Sequence, residues 1–391
     1  MTRPIIPDSE FKERARRLQK LMERDGIDIL LAFGNEAEPQ FARYLCDYWP
    51  SFETTGVLLA QKGDPILLIG PESYTFAKDR SRIPQIRRLA AFRESSNPEY
   101  PGEKLETFSE VIEELGVISP KRFAIAGFNL IPYVTEMELR ESLRVFGDVE
   151  TVRGDEIMME LRMVKSENEL ACLRYAGQIT AKAFRDTLDR IEPGMTELQV
   201  RGIACESIYR NGGENESYPM WILAGEGGDQ AISRARQKVI GPNDMVMMQI
   251  GARYEGYAST IGRPVFFGTG HERYLDALKA AYEAHEIICS SLYEGNNAGN
   301  VAAAYFQHME KAGFRDWLLY GPCHATGLME GEPPWIESNS DYLLRENMTY
   351  CVDIFMGNYG EARGFRVEDS VRVGKDRAEN MTNFPKEIFR K

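Results

Sequence analysis

At 391 residues, 43% hydrophobic and 27% charged, the chain has ordinary globular composition and length enough for two domains with proper cores, which excludes a disordered or fibrous protein. Lys+Arg 47 against Asp+Glu 60 leave a formal charge of -13, with no basic run fit to track a phosphate backbone, so nucleic acid is not an expected partner. The N-terminus turns polar within a few residues, no apolar stretch approaches a membrane span, and Cys46, Cys172, Cys205, Cys289, Cys323 and Cys351 are scattered without a C-x-x-C pair; the expectation is a cytoplasmic protein with reduced thiols and no membrane partner.

Phe11, Ala15, Leu18 and Met22 fall at helical spacing with Gly26 as a stop, and DILLAF then reads as a buried strand. TGVLLAQKGDPILLIG gives two strands around a Lys-Gly-Asp turn. A helix over EKLETFSEVIEELG, a strand over RFAIAG and a helix over VTEMELRESLRVF continue the alternation of an α/β sheet domain. This first part, residues 1–160, holds no catalytic constellation of its own. It ends where a charged segment leads into a long helix beginning near Ser166.

The second part, residues 161–391, repeats itself. DRIEPGMTELQVRGIACESIYRNGG and SSLYEGNNAGNVAAAYFQHMEKAG align at a constant offset of 101 residues, matching Ile191 with Leu292, Gly194 with Gly295, Val200 with Val301 and Gly212 with Gly313. Helix, Gly-containing turn, helix is built twice, and strand material follows each copy. Two such αβ halves facing each other across a shared sheet bring Gln249 of one near Asp353 of the other.

These residues resemble a family. The second part is similar to the pita-bread fold of creatinase, prolidase, Xaa-Pro aminopeptidase and methionine aminopeptidase, and the first to the α/β N-terminal domain of creatinase and prolidase. The resemblance spans nearly the whole chain. The family's metal hairpin D-x-G-x-x-x-x-G-Y-x-x-D is met by Gln249, Gly251, Gly256, Tyr257 and Thr260. Its H-x-x-G-L-x-x-H-E-x-P is met by His324, Gly327, Leu328, Gly331, Glu332 and Pro334. Asp353 follows Met348 where the family carries a ligand Glu, and Arg366, Glu368 and Asp369 form the closing R-x-E-D. Two of the five ligand positions implied by the resemblance, Gln249 and Thr260, have lost their carboxylates, and neither an amide nor a hydroxyl offsets the charge of two dications.

The resemblance therefore implies a creatinase-like or ectoine-hydrolase-like branch. The residues 366–391 are similar to the C-terminal stretch of creatinase, and the hairpin around Ile250, Tyr254, Tyr257 and Arg263 to that of ectoine hydrolases. Creatine itself is not expected, because Gly262 and Thr54 stand where creatinase grips its substrate, although Phe52 keeps the adjacent aromatic. The reading is a metal-independent, cofactor-free hydrolase cleaving a C–N bond in a small nitrogenous metabolite. His324 shuttles the proton, while Glu368 and Asp353 orient water and substrate. Gln249, Thr260, Tyr254, Tyr257, Glu332 and Phe52 are expected to touch substrate, and Arg234 and Arg236 are either surface charges or clamps for a substrate carboxylate. His271, His285 and His308 read as structural, Trp221 and Trp335 as core or interface, and Cys323 as facing away from His324. Tyr48, Trp49 and Phe52 near a turn suggest a homodimer in which the first domain closes the partner's site. Two alternatives stand beside this: an Xaa-Pro-type dipeptidase or aminopeptidase with an atypical single metal, and a non-catalytic ligand- or peptide-binding member.

Overall fold

A computed structural model describes residues 3–391 apart from positions 95 and 97. The chain divides into two compact units, Ile6–Arg162 and Met163–Lys391, the second taking in the stretch that ends at Ile5.

The first unit runs α1 (Asp8–Asp25), β1 (Ile29–Gly34), α2 (Gln40–Cys46), β2 (Thr55–Ala60), β3 (Ile66–Ile69), α3 (Tyr74–Arg80), β4 (Ile86–Arg88), α4 (Phe108–Glu114), β5 (Arg122–Ala126), α5 (Tyr133–Leu143), β6 (Glu150–Arg153) and α6 (Asp155–Arg162). Phe11, Ala15, Leu18 and Met22 are the buried stripe of α1, and Gly26 ends it at φ 65, a left-handed turn that glycine adopts without strain. The strands form one sheet in the order β4-β3-β2-β1-β5-β6, parallel except for β1/β2 and β2/β3. Helix α4 begins five residues later than its charge-rich sequence suggests. Thr107 caps it reciprocally with Glu110, and Glu106 is already committed to a bridge with Leu89. The short α2, α3 and α6 have too few turns for a periodic signal, and the sequence reading passes over them.

The second unit opens with α7 (Glu167–Arg190), whose N-cap Ser166 pairs with Glu169 in a capping box, followed by α8 (Glu197–Arg210). Next come β7 (Asn215–Glu216), β8 (Trp221–Ala224) and the hairpin β9 (Met245–Tyr254) and β10 (Tyr257–Phe266). The second copy gives α9 (Glu272–Ser291), α10 (Ala298–Lys311), β11 (Cys323–Ala325), β12 (Glu332–Ile336) and the hairpin β13 (Thr349–Asn358) and β14 (Arg363–Arg372), before the short β15 (Glu379–Asn380) and β16 (Phe389–Arg390). Helices α8 and α10 lie at the offset read from the sequence, and the hairpins join antiparallel through β10 and β14. The resulting sheet runs β12-β11-β13-β14-β10-β9-β7.

Alternation along these strands separates a core face from a site face. Val352, Ile354 and Met356 of β13 and Val367 of β14 pack with Ala277, Ala281 and Ala284 of α9, where small residues let helix and sheet approach closely. Cys351 and Asp353 of β13, and Arg366 and Glu368 of β14, take the other parity. One row crosses the sheet through Gln249, Gly262, Glu368 and Asp353, each paired with the next. A Cβ at Gly262 would stand 3.1 Å from Glu368 Cβ and 3.2 Å from Arg366 Cβ, so a larger residue there would need these neighbours to give by a few tenths of an ångström.

Candidate active site

His324, on β11, is paired across the sheet with Cys351 of β13. Its Nδ1 lies 3.2 Å from the carbonyl oxygen of Ala325, an acceptor that holds the ring proton on Nδ1 and turns Nε2 toward the carboxylates. Nε2 is 3.7 Å from Glu330 Oε1, 3.9 Å from Glu368 Oε1 and 4.0 Å from Asp353 Oδ2. Glu368 is fully buried, and its Oε1 accepts no hydrogen bond among the described residues. Burial pushes its carboxyl well above the usual range; Asp353 and Glu330 raise it further, with Arg366 opposing.

Asp353 sits differently from the acid-base partner expected of it. Tyr320 donates to its Oδ2 at 2.6 Å, and Arg366 Nε stands 3.1 Å from Oδ1. Its charge is spent on a buried guanidinium. Arg366 also donates from Nη1 to Gln249 Oε1 at 2.7 Å and from Nη2 to the Ala231 carbonyl at 2.7 Å, and it lies 4.3 Å from the Trp221 ring centroid. Burial works to lower the guanidinium pKa, but Asp353, then Tyr320 and Glu368, hold it above its ordinary value. Gln249 gives its other end to Glu368 Oε2, so each end of the amide already holds a protein group, leaving one N–H and one oxygen lone pair for any substrate contact.

The dinuclear centre of the family frame does not fit these residues. Gln249 and Thr260 bring no carboxylate to two of its five ligand positions, and Gln249 and Asp353 are both bound by Arg366. A different donor set is present: His324, Glu330, Cys351 and Glu368 each offer one ligand atom, and these atoms lie within 4.8 Å of one another.

The remaining expectations divide by strand parity. Thr260 faces the cluster, its Oγ1 3.4 Å from Glu330 Oε1. Tyr254 and Tyr257 are corrected: five residues from Gln249 and three from Thr260, they point to the opposite face. Tyr254 donates to the Pro4 carbonyl at 2.9 Å and Tyr257 to Glu169 Oε1 at 2.9 Å. Arg236 is no clamp for substrate either, because buried Glu197 binds its guanidinium through two nitrogens. Glu332 lies 3.5 Å from Lys165 Nζ. Arg234 is exposed and has no ion-pair partner among the described residues. Phe52 belongs to the first unit and is 84% exposed at φ 60, while Tyr48 beside it is buried.

Three residues near His324 are not expected there from the sequence, and a fourth, Trp335, is expected elsewhere. Glu330 sits inside the His324 motif, and Cys351 lies two residues before Asp353 on one strand face, the signal that could have found it. Tyr218 has a buried hydroxyl with no hydrogen-bond partner among the described residues, and burial, then Glu368 and Glu330, push its phenol well above its usual range. Trp335, expected in a core or interface, is half exposed with its ring 6.4 Å from that of His324.

Residues 171–375 match metallopeptidase family M24, and residues 14–164 match the Creatinase/Prolidase N-terminal domain. The chain belongs to metallopeptidase family M24. This M24 chain is 23% identical over 382 residues to the Xaa-Pro dipeptidase of Pyrococcus furiosus, covering 97% of this chain and 100% of that one. It is 26% identical to an uncharacterized peptidase, YqhT, of Bacillus subtilis, over 96% of this chain and 99% of the relative. Its fold is that of the prolidase from Pyrococcus horikoshii OT3, with TM-score 0.81 at 21% identity over 96% of this chain and 100% of that one. The X-Pro aminopeptidase from Thermotoga maritima is equally similar in fold, with TM-score 0.82 at 22% identity over 96% and 99% of the two chains.

M24 membership places the chain among hydrolases of C–N bonds of the peptide kind. The expectation of a metal-independent hydrolase acting on a small nitrogenous metabolite is overturned by these full-length relatives, which are peptidases. Two carboxylates are missing from the family's ligand positions, but Glu330 and Cys351 place further potential donors beside His324 and Glu368. No helix among the described residues is long and apolar enough to cross a membrane.

Proposed function

We propose that this M24 protein hydrolyses short peptides at a bond preceding proline, with Xaa-Pro dipeptides as the substrate class. The observation that carries the reading is the convergence of His324 Nε2 with Glu330 and Glu368 at 3.7 and 3.9 Å, in a chain whose full-length relatives include an Xaa-Pro dipeptidase. Water held in the cluster of His324, Glu330 and Glu368 attacks the carbonyl carbon. Glu330, on the accessible side of the cluster, takes the water proton and returns it to the leaving nitrogen, which in an Xaa-Pro bond carries no hydrogen of its own. Tyr218, with its hydroxyl uncommitted, donates to the carbonyl oxygen as charge develops there. Trp335, half exposed with its ring 6.4 Å from that of His324, offers an apolar face to the prolyl ring.

The test is a panel of Xaa-Pro, Xaa-Ala and Pro-Xaa dipeptides assayed for released amino acid. Free proline from the Xaa-Pro members is the expected product. Equal cleavage of Xaa-Ala removes the prolyl preference, and no cleavage of any member under any metal condition removes the peptidase reading.

A further inference from the structure

His324, Glu330, Cys351 and Glu368 come from two neighbouring strands, a third strand and the loop after β11, yet they present four lone-pair donors to one point. His324 and Cys351 are direct partners across β11 and β13. Cys351 is paired with Ser370, two residues along β14 from Glu368, so thiol and carboxylate share a sheet face. Nε2 stands 3.7 Å from Glu330 and 3.9 Å from Glu368 Oε1, both too long for a hydrogen bond. They approach the separation of ligands around one tetrahedral ion, about 3.3–3.7 Å for metal–ligand bonds of ordinary length.

Two further features point the same way. Glu368 Oε1 is fully buried, aimed into the cluster, and without a hydrogen-bond donor among the described residues, an arrangement a cation completes. His324 ties its other ring nitrogen to the Ala325 carbonyl oxygen at 3.2 Å, the support that imidazoles bound to metal through Nε2 ordinarily have.

We propose that these four side chains bind one divalent transition-metal ion of the zinc type. One imidazole, one thiolate and two carboxylates form a mixed set that suits zinc, cobalt or ferrous iron; the sulfur disfavours magnesium and calcium, and the single sulfur gives no copper(I) preference. The formal charge of thiolate and two carboxylates exceeds that of the ion by one, and buried Arg366 lies close enough to Glu368 to offset it. Glu330 is the least buried of the three anionic donors and is the one that gives way to substrate. As a binding site the cluster stands alone; as the means of activating water it rests on the peptidase reading.

Cobalt distinguishes this site from any other. Chelator-stripped protein titrated with Co²⁺ is expected to take up one equivalent and to show sulfur-to-cobalt charge-transfer absorption in the near ultraviolet, which Zn²⁺ abolishes by displacement. Cys351→Ser should lose that absorption and bind the ion roughly tenfold or more weakly. Glu330→Gln should weaken binding and keep the absorption, and it serves equally where the Cys351 variant does not fold. Cys323→Ser, altering a thiol on the core face, should leave the absorption in place. The site is overturned if folded parent protein takes up no stoichiometric Co²⁺ or Zn²⁺, or if the absorption survives in Cys351→Ser. A cobalt signature from Cys351 without hydrolysis of any Xaa-Pro dipeptide upholds the metal site and sinks the peptidase reading. Hydrolysis by stripped protein that shows no cobalt signature does the reverse.

Discussion

The carboxylate of Asp353 faces Arg366 and Tyr320, and both it and the guanidinium are buried. Removing one partner of such a pair leaves the other charge without compensation, so Asp353→Asn should lower stability by about 3 kcal/mol, read by denaturant unfolding. An effect confined to turnover, with stability intact, would return Asp353 to the acid-base role. Tyr218 carries the opposite expectation. Its hydroxyl binds no protein group, so Tyr218→Phe should leave stability nearly unchanged and lower kcat roughly 10²-fold, with little change in KM. Unaltered kcat would remove Tyr218 from the chemistry. The sequence made His324, Glu368 and Asp353 legible because each stands in a motif frame. It could not show that Arg366 neutralises Asp353, since that pairing needs the register of β13 against β14. Glu330 and Cys351 match no ligand frame, and only the geometry brings them to His324.

Helix α7 is the element most fully written in the sequence. Ser166 caps Glu169 and Glu169 returns the bond, so Ser166→Ala should cost about 1 kcal/mol in unfolding free energy. The strand β15 ties α7 to β14 through Glu379, which binds Arg174 and Arg372. Hydrogen bonds from Arg174 hold its carboxyl below the usual range, against burial. A depressed folded-state pKa means that this contribution is present above the unfolded value and fades as pH falls through the folded one. Glu379→Gln should therefore narrow its stability deficit relative to parent as melts are taken from neutral to acid pH; a deficit that does not change with pH contradicts the pairing. The duplicated helices and hairpins were legible because periodicity and the offset of 101 residues are local properties of the chain. The short α2, α3 and α6 were not, since one or two turns give no period to read.

The chain carries a Creatinase/Prolidase N-terminal domain followed by an M24 domain, and the Xaa-Pro dipeptidase of Pyrococcus furiosus matches it over nearly full length. Homodimer formation is expected from the first domain's exposed Phe52, which sits in the left-handed backbone region. Light scattering at micromolar concentration should give twice the chain mass, and Phe52→Ser should weaken association; a fully active monomer contradicts it. The account as a whole depends on peptide-bond cleavage taking place at the His324 cluster. The most direct measurement is kcat/KM for an Xaa-Pro dipeptide in parent, His324→Ala and Glu330→Gln proteins, each supplied with excess zinc or cobalt and checked for native folding. Both substitutions should lower kcat/KM by roughly 10²-fold or more. Near-parent turnover in both folded variants would place the chemistry elsewhere and contradict the account.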